Sequence, residues 1–295
     1  MVSVLDPGDR VARRVRRSWG FEPGEELSPG RRVLKHLGGG ERYEAHVAWD
    51  ERLHVLVVAK VLRPHLVEDP RARAAIAAEA AALERLQHPV LVRSFGAFLE
   101  GGRPHLVLEL LDGPRLSTLI RRFGPLAAEQ LVPLARQVCS ALQFMASEGW
   151  VHLDVKPRNI VMTSSPRLID LSVARPIEAA RQVKRPVGTD AYMAPEQCDP
   201  ARFAGIGPPA DVWGLGATLY EALTGRQAFP ATEAERFPQL GAPVAPLPEK
   251  APPQLAAAIR ACLAADPAAR PTAAALDEML EPLGDWSARS IRRWR

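Results

Sequence analysis

The spacing of apolar residues changes character near residue 110. Before that point the apolar runs are short. Arg31–Leu37 and Tyr43–Asp50 have the composition and length of strands and flank the glycine run Gly38-Gly39-Gly40. Leu53–Leu62 (LHVLVVAKVL) is a β-branched run of the buried-strand type. Pro70–Gln87 switches to an Ala-rich helical pattern that ends at His88-Pro89, and Leu91–Leu99 and Pro104–Leu110 return to strands. After about residue 114 helices dominate. Ala127–Glu148 predicts a long helix stopped by Gly149, and Ala210–Leu223 is so uniformly apolar that it should be central. Short strand-like pieces surround Asp154 and Asp170, residues 228–253 are proline-rich loop, and Gln254–Ala264 and Thr272–Leu280 predict two closing helices. Strands plus one helix, then helices, predict an α+β chain with a small β-rich lobe over 31–110, a helical lobe over 111–283, and a cleft between them.

Composition narrows the function classes. The chain has 295 residues, 47% hydrophobic, enough for a sizeable core. A net charge of +4 is too modest to point to nucleic acid, and no nucleic-acid partner is expected. Arginines cluster near both ends. Residues 1–30 read as a basic arm with Arg10, Arg13, Arg14, Arg16 and Arg17, in which Arg10–Trp19 is a candidate basic amphipathic helix; residues 284–295 read as a basic tail. Either end would suit a membrane surface or an acidic partner. Cys139, Cys198 and Cys262 lie far apart without CxxC spacing, so neither a disulfide framework nor a zinc site is suggested and a reducing, cytoplasmic setting is expected. No run of about 18 apolar residues predicts a membrane span, and residues 1–20 lack the apolar core of a secretion signal. Nothing in the sequence sets an oligomeric state.

The densest chemistry is His152-Leu153-Asp154-Val155-Lys156-Pro157-Arg158-Asn159, placed between a long helix and a strand. Phosphoryl transfer to a hydroxyl needs a carboxylate to orient the nucleophile and accept its proton, and a ligand for the metal that neutralises the phosphates. Asp154 and Asn159 on one loop can supply both, with Lys156 in reach of the transferring group.

This segment resembles the catalytic loop of the protein kinases, H-R-D-x-K-P-x-N, and the lysine two residues after the aspartate is the Ser/Thr-kinase form. Other matches follow in order and extend the resemblance over about residues 31–283. Asp170 falls at the D-F-G position, which implies Mg²⁺ binding together with Asn159. Gly188-Thr189-Asp190-Ala191-Tyr192-Met193-Ala194-Pro195-Glu196 is similar to the end of the activation segment. The family then implies Thr189 beside Asp154 and Lys156, a buried Glu196–Arg270 ion pair, and Asp211 bracing the catalytic loop, where a simple helix cap is the plainer alternative. Lys60 in Val57-Val58-Ala59-Lys60 resembles the phosphate-binding lysine. Its helix partner would be Glu79, nine residues before His88, with Glu84 as second choice. Leu37, Gly38, Gly39 and Gly40 would cover the phosphates, although a GGG turn is by itself a plain hairpin signal. Val58 and the backbone of Glu109 and Leu111 would read adenine behind a Leu108 gatekeeper.

The resemblance thus implies the two-lobed protein-kinase fold, ATP with Mg²⁺ or Mn²⁺, and a protein substrate carrying a Ser or Thr acceptor. Within the family the chain looks most like actinobacterial Ser/Thr kinases, here expected in a short soluble form without membrane span or sensor repeats. It departs from the pattern in places. Leu153 replaces an arginine that pairs with an activation-segment phosphate, and residues 173–188 contain no Ser, Thr or Tyr. Together these imply activity without phosphorylation of that segment. Tyr43 replaces the third glycine, Ala45 the valine of the glycine-loop pattern, Val58 an alanine, and Leu171-Ser172 the Phe-Gly of D-F-G. These substitutions keep open a nucleotide-binding scaffold without turnover, and a small-molecule phosphotransferase is a further alternative.

Overall fold

A computed structural model describes residues 18–232 and 235–284. The candidate helix at Arg10–Trp19 falls almost wholly, and the tail after Gly284 entirely, outside the described residues.

The chain divides into two compact units. The first runs to Gln87 and resumes at Val92–Leu111. Its sheet has the order β1-β2-β3-β4-β6-β5. The strands are β1 (Glu26–Ser28), β2 (Arg31–Gly39), β3 (Tyr43–Asp50), β4 (Val55–Leu62), β5 (Ser94–Phe98) and β6 (His105–Glu109), with helix α1 (Pro70–Arg85) between β4 and β5. Asp69 caps α1 by accepting the Arg71 N–H at 2.9 Å, and Pro70 sits at the first helical position, where its missing N–H is harmless. The apolar run of β4 is the most buried of the sheet at Val57, Ala59, Val61 and Leu62.

Three expectations are corrected here. The strand expected from Leu53 starts at Val55, because residues 51–54 form a turn in which His54 has φ +54° and the Asp50 carboxylate accepts the Arg52 and Leu53 N–H groups. The strand expected over Leu91–Leu99 shrinks to Ser94–Phe98, since His88–Leu91 pack with the second unit, where Leu91 bridges to Leu168. The described part of the expected 1–30 arm is folded: Glu26–Ser28 adds a strand to the sheet edge, and Trp19 and Phe21 pack on Leu27, Val33, Ala59 and Val61.

The second unit is mainly helical: α2 (Leu116–Phe123), α3 (Ala128–Ser147), α4 (Ile177–Arg181), α5 (Pro195–Cys198), α6 (Pro208–Thr224), α7 (Pro253–Cys262) and α8 (Ala273–Gly284). Two small ribbons interrupt it, β8 (Ile160–Val161) with β9 (Arg167–Leu168), and β7 (Trp150–Val151) with β10 (Arg175–Pro176). Helix α6 is buried from Ala210 through Tyr220, as its composition predicted, and ends where Gly225 adopts φ +74°. Among the described residues no helix is long and apolar enough to cross a membrane.

Candidate active site

In the first unit the β2–β3 turn is built on glycine for its own sake. Gly38 has φ +117°, and a Cβ on Gly39 would lie 2.3 Å from the Tyr43 carbonyl oxygen. Leu37 enters the turn with its side chain half exposed, and the Gly40 N–H closes it onto the Tyr43 carbonyl at 3.0 Å. On β4, Lys60 donates from Nζ to both oxygens of Glu79, at 2.7 and 2.8 Å. Glu79 lies on the inner face of α1 with Ile76, Ala82 and Leu83, whereas Glu84 is exposed. A carboxylate that buried requires a cation, which Lys60 supplies. The Tyr43 ring stands 4.6 Å from the Lys60 ammonium, a cation–π contact at the position where the family pattern has glycine. Val58 lies in register between Val47 and Leu108. Glu109 ends β6 with its N–H on the Arg93 carbonyl and its side chain accepting the Arg93 N–H at 2.7 Å, and Leu111 closes the unit.

In the second unit Asp154, Lys156, Asn159 and Thr189 converge. Lys156 Nζ donates to Asp154 Oδ2 at 2.6 Å and to Thr189 Oγ1 at 2.5 Å, and the Thr189 hydroxyl donates to Asp154 Oδ1 at 2.7 Å. Asn159 Nδ2 donates to the Asp154 carbonyl and to its Oδ2, both at 3.0 Å. The β8–β9 ribbon fixes Asn159 relative to Asp170, because Ile169 N–H bonds the Asn159 carbonyl at 2.8 Å and Asp170 follows at once. Asp170 has φ +70° and Leu153 φ +64°, conformations that cost a non-glycine residue about 1–3 kcal/mol each and persist only where neighbours hold them.

Asp211 holds the second of these. Its oxygens accept the N–H groups of His152 at 2.7 Å and Leu153 at 2.6 Å. Gly207 is the residue that caps α6, so Asp211 reaches the loop from inside the helix. Burial pushes the Asp211 carboxyl up, against the pull of His152 and the two N–H donors. Asp211→Asn would turn an amide N–H₂ toward one of those donors. We expect a loss of about 2–3 kcal/mol, read as a lower melting temperature, with the deficit larger than for a surface aspartate.

Sequence reading missed several supports of this loop. Gln197 Nε2 donates to the Leu153 and Val187 carbonyls at 2.9 and 2.8 Å, tying the loop to the segment before Gly188. Gly188 has φ +121°, and a Cβ there would lie 2.8 Å from the Leu153 oxygen. Gln239 Nε2 bonds the carbonyls of Asp190 and Met193. Tyr192 donates to Glu221, and burial raises both groups above their ordinary ranges. An uncharged glutamine carries no sequence signal for such a role; only the fold shows what it bonds. Glu196 and Arg270 form a bidentate pair at 2.7 and 2.9 Å, both side chains almost fully buried, with the guanidinium 4.9 Å from the Trp213 ring.

A carboxylate, an ammonium and a hydroxyl are thus in mutual contact, beside an asparagine and an aspartate fixed by one ribbon. The chain belongs to the protein kinase domain family, whose model matches residues 31–280. It is 35% identical over 202 residues to the serine/threonine-protein kinase PknB of Mycobacterium leprae, covering 65% of this chain and 32% of that one. Against PknA of Mycobacterium tuberculosis it is 32% identical over 258 residues, 84% of this chain and 59% of the relative. The chain thus spans about a third to three-fifths of the length of these curated relatives.

Proposed function

We propose that this chain is an ATP-dependent Ser/Thr protein kinase. The observation that carries the reading is the Thr189 hydroxyl held on Asp154 Oδ1 and Lys156 Nζ, a contact that supports this loop as the place where a Ser/Thr-type hydroxyl would bind. An acceptor hydroxyl there would pass its proton to Asp154 as its oxygen bonds the γ-phosphorus and the β–γ bridging oxygen departs with ADP. Lys156 would stabilise charge on the transferring group. Lys60, oriented by Glu79, would bind the α/β-phosphates under Leu37, Gly38, Gly39 and Gly40, and Val58 with the backbone of Glu109 and Leu111 would hold adenine. Asp170 and Asn159 offer hard oxygen donors, the set that suits Mg²⁺ or Mn²⁺, and the Asn159 amide nitrogen is already spent on Asp154. Such an ion would neutralise phosphate charge. The three cysteines are free and buried, which supports a reducing, cytoplasmic location.

The test is label transfer from γ-labelled ATP, with Mg²⁺ or Mn²⁺, to a Ser/Thr-rich protein beside a panel of small hydroxyl compounds. Label on protein Ser or Thr is expected. Label confined to the small compounds would make the chain a small-molecule phosphotransferase. No label, with Mg-ATP still raising the melting temperature, would make it a nucleotide-binding scaffold.

Independence from activation-segment phosphorylation belongs to the same reading. Residues 173–188 offer no hydroxyl to modify. Protein groups already tether the segment: Arg175 and Pro176 pair with Val151 and Trp150, Ile177 N–H bonds the Gly149 carbonyl at 2.8 Å, and Gln197 holds Val187. Phosphatase treatment should therefore leave the transfer rate unchanged, and site mapping should find no required phosphate within 173–191.

A further inference from the structure

A second cluster of ligating side chains lies on β2 and β3. His36 and His46 are register partners on adjacent antiparallel strands, their ring centroids 4.8 Å apart. Glu44, two residues before His46, shares its face of the sheet. One ligand atom from each of the three lies within 4.8 Å of the others. His46 Nε2 and Glu44 Oε2 are 3.2 Å apart. Tetrahedral zinc, with bonds of about 2.0–2.1 Å, needs its ligand atoms roughly 3.3 Å apart, so one edge already has the required length and small side-chain rotations close the rest.

The surroundings fix two ligands and leave the third accessible. His46 and Glu44 are buried, with Phe21 set edge-on to the imidazole at 5.2 Å. Arg63 Nη1 holds Glu44 Oε1 at 2.8 Å, and the Trp19 N–H approaches at 3.3 Å. His46 Nδ1 is buried without a hydrogen-bond partner, so the ring has polar capacity its neighbours do not use. His36 is exposed and gives an ion its way in.

We infer that His36, Glu44 and His46 bind a single dication of the zinc class. Two imidazoles and one carboxylate favour Zn²⁺, Co²⁺, Ni²⁺ or Cu²⁺ over Mg²⁺. The site also touches the glycine turn. Arg63, which holds Glu44, donates from Nε to the Gly40 carbonyl at 2.6 Å, and Gly39 is the register partner of Glu44. A bound ion staples β2 to β3 at the base of the turn and restrains it.

The test is a titration of the whole chain with Co²⁺, then Zn²⁺, in excess Mg²⁺ so that oxygen sites such as Asn159 and Asp170 are occupied. One equivalent of Co²⁺ should bind with a visible d–d absorption that Zn²⁺ abolishes, and saturation should slow amide exchange across Gly38–Gly40. His36→Ala alters an exposed side chain and should keep the metal-free melting temperature while weakening binding at least about tenfold. Absence of saturable one-equivalent binding, or equal affinity in His36→Ala, would overturn the site. Unchanged exchange at saturation would overturn its coupling to the turn.

Discussion

Asp154→Asn is expected to lower the rate of phosphoryl transfer by about 10²–10⁴-fold, the range for losing a positioned general base. The protein should still fold and still gain melting temperature with Mg-ATP. The side chain is nearly isosteric, and the groups assigned to nucleotide binding in the first unit, Lys60 and Glu79, are untouched. What changes is specific. Asp154 Oδ1 now accepts the Thr189 hydroxyl and Oδ2 accepts Lys156 and Asn159. An asparagine keeps one acceptor oxygen and turns N–H₂ toward the other donors, so it can neither take a proton nor hold both contacts. The effect should fall on kcat, with KM for ATP little changed, because the lost interaction serves the transition state. A variant retaining more than a tenth of wild-type kcat would mean that Asp154 is not the base.

The parts of this molecule legible in its sequence share a physical cause: they rest on local period or on charged residues that burial forces to pair. The β4 run reads as a buried strand from its consecutive apolar residues, although burial alternates along it, with Val57, Ala59 and Val61 inside and Val55 and Leu56 exposed; α6 reads as central because it is apolar all round. That Lys60 needs a carboxylate is legible because a lysine at the end of such a strand must pair; the family's spacing points to Glu79, which lies on the buried face of α1. Helix α2 has helical apolar spacing at Leu116, Leu119, Ile120 and Phe123, but eight residues are fewer than a periodicity window needs, and it buries only Leu116 and Ile120. The folding of Trp19–Ser28 onto the sheet escaped notice beneath the arginines before it and the Pro and Gly residues around it. The His36–Glu44–His46 cluster is invisible for a topological reason: Glu44 and His46 are two apart, which alone marks nothing, and His36 joins them only across the hairpin turn. Gln197 and Gln239 act on backbone carbonyls, which no side-chain pattern announces.

Arg270→Met is expected to cost about 3–5 kcal/mol, the range for stripping one partner from a buried ion pair. At roughly 2–4 °C per kcal/mol, the melting temperature should fall by about 6–20 °C. The methionine fills similar volume, so the loss is electrostatic rather than a cavity. It leaves the Glu196 carboxylate with 1% side-chain exposure and no cation, and it removes the donors that now serve the carbonyls of Ala264, Ala265 and Pro209. Adding Glu196→Gln to that variant should recover part of the loss, because a buried amide costs less than a buried unpaired charge, while the three carbonyls keep the recovery incomplete. The exposed Arg181–Glu178 pair is the control: Arg181→Ala should cost under about 1 kcal/mol, since solvent already screens that charge. Equal small losses for Arg270→Met and Arg181→Ala would show that Glu196 does not depend on its partner. A large loss partly reversed by the second substitution would locate the penalty in the orphaned carboxylate, at the segment that also carries Gln197 and, through it, the backbone of Leu153.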